Sequence, residues 1–154
     1  MRERQKYEFT GEATTDIAEG AILHRIRAVR DFGNVKAGDL GGWIESEKNL
    51  GHGGHCWVYD NAAVFGRASV LGYASIRNGA MVYDRAFVYG EAIVDNSDVF
   101  GSATIAGCAR VEKRSSVYRY ALIAGTAELS GAEVGANVEV HEGAMRDLKI
   151  MERG

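Results

Sequence analysis

The run Val58-Tyr-Asp-Asn-Ala-Ala-Val64-Phe-Gly-Arg-Ala-Ser-Val70-Leu-Gly-Tyr-Ala-Ser-Ile76 returns an aliphatic residue every six positions, with Ala two places before it. The beat continues through Val82, Val88, Val94, Val99, Ile105, Val111, Val117, Ile123, Leu129, Val134 and Val140. Ala or Ser keeps the same time, and Gly, Asn or Asp usually stands two places after the aliphatic residue. A period of six does not fit a helix, whose faces repeat at about 3.6 residues. In an extended strand alternate side chains share a face, so Ala-x-Val turns both inward and the Gly-x pair that follows makes a corner. Three such sides close a triangular coil, and coils stack at about the 4.8 Å strand spacing. The spacing therefore predicts an all-β chain built around a parallel β-helix of about five triangular coils. The repeats that lose one residue, Val94 to Val99 and Leu129 to Val134, lie six repeats apart, so both shortenings fall at the same corner.

Outside the repeat the pattern changes. Residues 6–10 and 22–30 alternate apolar with polar and predict an antiparallel strand pair, with a polar loop over 11–20. The turn-rich stretch from Gly33 to Ile44 carries Val35, Leu40, Trp43 and Ile44, which can plug an open apolar end. A solenoid leaves its cross-section and strand edges unpaired at each end, so a cap is physically required. Residues 1–55 are read as that cap, and 56–154 as the β-helix with a C-terminal tail. The tail from Arg146, with Leu148, Ile150 and Met151, is read as a cover for the last coil.

Composition excludes several classes. Of 154 residues 20 are Gly and none is Pro, which suits many similar corners rather than a disordered chain. A net charge of -3 without a long run of one sign lacks the footprint of a general nucleic-acid binder. Cys56 and Cys108 are too few and too scattered for a disulfide framework, and are read as reduced thiols in a cytoplasmic protein. No stretch approaches the roughly 18 apolar residues of a membrane helix, and no membrane association is expected.

The six-residue rule resembles the hexapeptide-repeat, left-handed parallel β-helix superfamily, although the usual motif puts Gly directly after the aliphatic residue and here it comes one place later. The segment from Arg27 to Glu45, followed by Asn49-Leu50 and Cys56-Trp-Val-Tyr-Asp-Asn-Ala62, is similar to a subgroup of bacterial, prophage and phage proteins often labelled transferases or polymer-forming proteins. That resemblance implies a left-handed coil and a homo-oligomer, a trimer before a dimer. It implies two activities to weigh: an accessory protein that binds a host protein, or an acyl-CoA-dependent acyltransferase.

Assigning every third repeat to one side separates three faces. Phe65, Met81, Tyr83, Phe100 and Tyr118 place aromatic side chains on one face in four successive coils. Leu71, Phe87, Tyr89 and Leu122 make a second face apolar. The third carries Ser75, Arg77, Asp95, Arg110, Glu112 and Glu128 and should face water. Two apolar faces side by side predict burial in an interface. Candidate ligand-binding residues are Arg67, Arg85 and Arg119 at corners beside the aromatic face, and His52, His55 and His141. A small nucleotide between subunits is a further reading, since an aromatic ring can stack a base while Arg pairs with phosphate. Two neighbouring histidines make no zinc site, and no third lies near in sequence, so no metal, no cofactor and no catalytic residue are assigned.

Overall fold

The structure, a computed structural model, describes residues 5–15 and 20–150. It is an all-β parallel solenoid of about six turns, with three sheets as the sides of a prism. The first sheet stacks Leu40–Ile44, Ala63–Val64, Met81–Val82, Asp98–Val99, Ser116–Val117, Glu133–Val134 and Lys149–Ile150. The second runs from Ser69–Val70 to Glu139–Val140, and the third from Trp57–Val58 to Ala144–Arg146. Register is strict along each: Val64 pairs with Val82, Val82 with Val99, Val99 with Val117 and Val117 with Val134. Every aliphatic residue of the beat from Val58 to Val134 is wholly buried, and the small partners fill the space between them.

The corners explain the residues two places after each aliphatic one. Gly66, Asp84, Gly101 and Arg119 turn from the first face to the second with φ between 58° and 66°. Gly72, Gly90, Gly107 and Gly125 turn from the second to the third, with φ between 61° and 73°. At this second corner the backbones crowd: a Cβ on Gly107 would sit 2.7 Å from Gly125 N and 3.1 Å from Gly125 O. Gly is thus required there by both φ and space. At the first corner Asp84 and Arg119 tolerate the left-handed region because their side chains point outward to solvent.

Both shortened repeats do fall at one corner, between the third face and the first. There the inward small residue is Ser97 or Ser115 in two successive turns, and both are buried. Ser97 Oγ donates to Asp95 O at 2.9 Å and accepts from Ser115 N–H at 3.0 Å. Ser115 Oγ donates to Glu112 O at 2.8 Å and accepts from Ala132 N–H at 3.1 Å. Each hydroxyl satisfies an amide of the turn below and a carbonyl of its own turn, so a buried Ser costs little there.

The count of turns is about six, not the five expected. The additional turn comes from residues 40–58: Ile44 pairs in parallel with Val64, Leu50 bridges Val70, and Trp57–Val58 pair with Ser75–Ile76. The tail also differs from the expected cover. Ala144–Arg146 and Lys149–Ile150 continue the parallel stacking, and residues 151–154 lie outside the described residues.

The antiparallel pair expected before the repeat is present as β1 (Tyr7–Thr15) and β2 (Ile22–Ala28), but β1 takes in residues 11–15 of the expected loop, where Ala13, Thr14 and Thr15 pair with His24, Leu23 and Ile22. It joins the edge of the first sheet through β3 (Leu40–Ile44), so the top of the solenoid is closed by strands of its own sheet. Below it a buried Asn49 completes the first turn. Its Oδ1 accepts from Glu45 N–H and Ser46 N–H at 3.0 and 2.8 Å, and its Nδ2 donates to Gly66 O and Ala68 O at 3.2 and 2.8 Å. All four hydrogen-bonding positions of the amide are used.

Candidate functional site

The aromatic column expected on the first face exists and is continuous. Phe65, Tyr83, Phe100 and Tyr118 stack with centroid spacings of 5.1, 5.2 and 5.1 Å and interplanar angles of 2°, 6° and 6°. The spacing follows from the strand repeat, which is slightly below the natural separation of offset rings. At its lower end the column runs onto Gly135, where any Cβ would collide with the Tyr118 ring. The Tyr118 hydroxyl then donates to Glu133 Oε2 at 2.7 Å, and that bond raises the phenol's pKa above its ordinary value.

The upper end differs. Leu23 and Ala21 pack with Ala63, Phe65, Trp43, Met81 and Tyr83 as a second small core outside the prism. Ala21 and Leu23 therefore cover the head of the column, and Phe65 is only 1% exposed. Met81, Tyr83, Phe100 and Tyr118 are half-buried. Asp98, one turn below Met81, stands half-buried on the same face, and burial raises its carboxyl pKa. None of the hydrogen bonds and ion pairs among the described residues involves its side chain.

The second face is apolar but broken. Leu71 and Tyr89 are exposed, Phe87 and Leu122 half-buried, and Phe87 meets Tyr89 at 4.7 Å with a tilt of 32°. Thr104 and Ala106 interrupt the series between Phe87 and Leu122. The third face is polar as expected, with Arg77 Nε donating to Asp95 Oδ2 at 2.9 Å.

Between the two apolar faces, a cavity of about 380 Å³ is lined by Gly66, Arg67, Asp84, Arg85, Gly101 and Ser102. Arg67 and Arg85 stack one turn apart and are exposed; Ser102 takes the next place. Arg119 lies in the neighbouring column, beneath Gly101, and is not a third rung. Asp84 lines the same cavity, and its Oδ2 accepts from Gly101 N–H at 2.9 Å. The wall is thus mixed in charge.

The histidines are not brought together. His52 is locked: Nδ1 accepts from Lys6 N–H at 3.0 Å, Nε2 bonds Glu47 Oε1 at 2.8 Å, and its ring stacks on Tyr7 at 4.2 Å. With Nδ1 accepting, Nε2 carries the proton. His55 packs edge-on against Tyr73 at 4.8 Å. His141 is exposed near the far end, 3.1 Å from Glu139. Among the described residues, no three His, Cys, Asp or Glu side chains gather as a metal site, and no helix is long and apolar enough to cross a membrane.

Sequence reasoning missed Lys6, which is wholly buried. Its Nζ donates to Cys56 O at 2.7 Å, sits 3.3 Å from Cys56 Sγ, and lies 4.9 Å from the centre of the Phe32 ring. Burial lowers the pKa of the Lys6 ammonium, with Cys56 opposing that shift, and raises the Cys56 thiol, with Lys6 opposing. A lysine near a terminus carries no local signal of burial.

Fold and faces together define a parallel β-solenoid with hexapeptide-type repeats and an aromatic side. No family model matches the chain. A stretch of 49 residues, 31% of this chain, is 47% identical to an Escherichia coli (strain K12) protein named "Uncharacterized acetyltransferase YdcK". The stretch spans 15% of that protein's length. The likeness and the solenoid both fit the hexapeptide-repeat β-helix superfamily.

Proposed function

We propose that this chain is a non-catalytic, cytoplasmic binding scaffold that assembles with copies of itself, as a trimer, and holds a protein partner. The observation that carries the reading is the ladder of Tyr83, Phe100 and Tyr118, left half-buried below Ala21 and Leu23, beside a second face with exposed Leu71 and Tyr89. A stacked aromatic column with further apolar side chains on the adjoining face favours association. The resemblance to phage and prophage proteins makes an accessory role against a host protein the context of that binding.

Native mass spectrometry of the purified chain, alone and with Phe100→Asp, tests the assembly. The scaffold reading expects an oligomer that the substitution reduces to monomers with an unchanged circular dichroism spectrum. A wild-type monomer, or an oligomer indifferent to Phe100→Asp, removes it.

The name of the E. coli relative supports a second reading, acyl transfer from acyl-CoA. The mixed-charge cavity beside Arg67 and Arg85 is where a phosphate-bearing ligand, CoA or a small nucleotide, would meet cations. His141 would then be the exposed base, and His55 the alternative. Binding of CoA that Arg67→Ala and Arg85→Ala together abolish, with turnover lost in His141→Ala, favours this reading over the scaffold.

A further inference from the structure

We infer that Lys6 and Cys56 form a redox-sensitive staple: on exposure to peroxide, Cys56 Sγ and Lys6 Nζ join in a covalent sulfur–nitrogen bond that ties the N-terminal segment to the first solenoid turn. The argument begins with charge. Lys6 and Cys56 are both 0% exposed, and no carboxylate pairs with Lys6 among the described residues. Its polar neighbours are the Cys56 and Gly53 carbonyls, at 2.7 and 3.4 Å, and the Cys56 sulfur at 3.3 Å. A buried ammonium beside a neutral thiol would leave an uncompensated charge, which is costly. The Lys6–Cys56 pair becomes neutral in two ways, with the Arg30 guanidinium over the same Phe32 ring as a second cation nearby: the thiol proton moves to Nζ, giving a thiolate beside the ammonium, or Nζ gives its proton to water, leaving a free amine. The first form is the one that attacks peroxide, and the second is the one that attacks oxidised sulfur.

Atoms balance over two steps. The thiolate sulfur attacks one peroxide oxygen; the S–O bond forms, the O–O bond breaks, and the departing hydroxide takes a proton to become water. The Lys6 amine then attacks the sulfenic sulfur; the N–S bond forms, the S–O bond breaks, and hydroxide leaves with a proton from nitrogen as the second water. Peroxide is reduced to two waters and the protein loses two hydrogens. Contact is already made, so the second step needs a local shift of the two side chains rather than a rearrangement. The way in is short: Sγ lies 3.4 Å from Gly51 O and 3.8 Å from Gly53 O, beneath a turn whose Gly53 and Gly54 are exposed. The exposed Cys108 serves as an internal comparison.

The test is intact mass spectrometry of folded Cys108→Ser protein after mild hydrogen peroxide, followed by peptide mapping. The expected result is a loss of about 2 Da that dithiothreitol restores, with a joined peptide containing Lys6 and Cys56. Lys6→Met should abolish the loss and leave Cys56 a thiol, because it removes both the proton acceptor that makes the thiolate and the amine that attacks the oxidised sulfur. A folded protein that keeps Lys6 but in which Cys56 stays a thiol under peroxide that fully oxidises Cys108 in the wild type overturns the inference. So does direct passage to the sulfinic acid, a gain of about 32 Da, with no joined peptide. Should Lys6→Met fail to fold, the wild-type peptide map decides alone.

Discussion

The first turn and the turns beneath it occupy the same prism but are held in different ways. From Val58 downward each turn repeats its neighbour: inward Val, Ile or Leu, inward Ala, and a left-handed corner. The first turn keeps inward Ile44 and Leu50 but lacks the inward Ala, and it adds polar contacts that are used once. Asn49 stitches it to the turn below, His52 and Tyr7 hold the entering strand, and Tyr7 Oη donates to Leu50 O at 2.6 Å. Repetition makes a rod, and a rod needs an end that cannot repeat. Apolar burial is non-directional and can be copied turn after turn, whereas a fully satisfied buried amide fits one place only. The unrepeated turn also receives β2, whose Leu23, with Ala21 before it, covers the head of the aromatic column.

Four substitutions would break or sharpen this contrast. The largest effect is expected in the repeats from Gly107→Val, which adds both a clash with the Gly125 backbone and a β-branched residue at φ +62. A loss of about 3–5 kcal/mol in urea unfolding is expected. A loss below about 1 kcal/mol would mean that the corners are softer than their spacing implies. Next comes Asn49→Ala, which takes the side-chain partner from Ser46 N–H and from the Gly66 and Ala68 carbonyls, while Glu45 N–H keeps its bond to Val64 O. It should cost about 2–4 kcal/mol, and hydrogen exchange should quicken in β3 while the amides of the lower turns keep their order of protection.

Smaller is Phe100→Ala, which removes two stacked ring contacts from the column. About 1–3 kcal/mol is expected from thermal unfolding, with the fold retained. A neutral result would show that the rings stabilise an assembly rather than the chain. The smallest is Asp98→Asn. Burial raises the folded-state pKa of this carboxyl, so the charged form opposes folding; the penalty is full above the folded pKa and fades as pH falls toward the ordinary aspartate value of 3.8. The substitution should stabilise at pH 7 by less than about 1 kcal/mol, because half of the group remains in water, and should have no effect near pH 3. Equal stability of the two proteins at pH 7 would mean that Asp98 is better solvated or better paired than its surroundings imply.

Much of this was legible in the residues. The beat named the strands, their inward residues, the corners and the shared position of both shortenings, and the outward positions named the aromatic column. The sixth turn was hidden although Ile44 and Leu50 lie six residues apart, because Lys48 replaces the small partner and the His52–Cys56 turn delays Trp57–Val58. Naming His52 and His55 together as candidate ligand-binding residues also missed what pins His52, since Lys6 and Glu47 come from other parts of the chain.

The sequence by itself determined whatever depends on period. A side chain's direction in a strand follows from counting by two and a corner from counting by six, so inward, outward and corner positions needed no knowledge of distant contacts. Tertiary structure alone decided what has no period. That Lys6 lies buried against Cys56, and that Phe65 is covered while Phe100 is not, depend on how the non-repeating N-terminal strands settle on the rod. Contacts between segments forty or more residues apart leave no trace in local spacing, because they are set by packing rather than by the chain's own geometry.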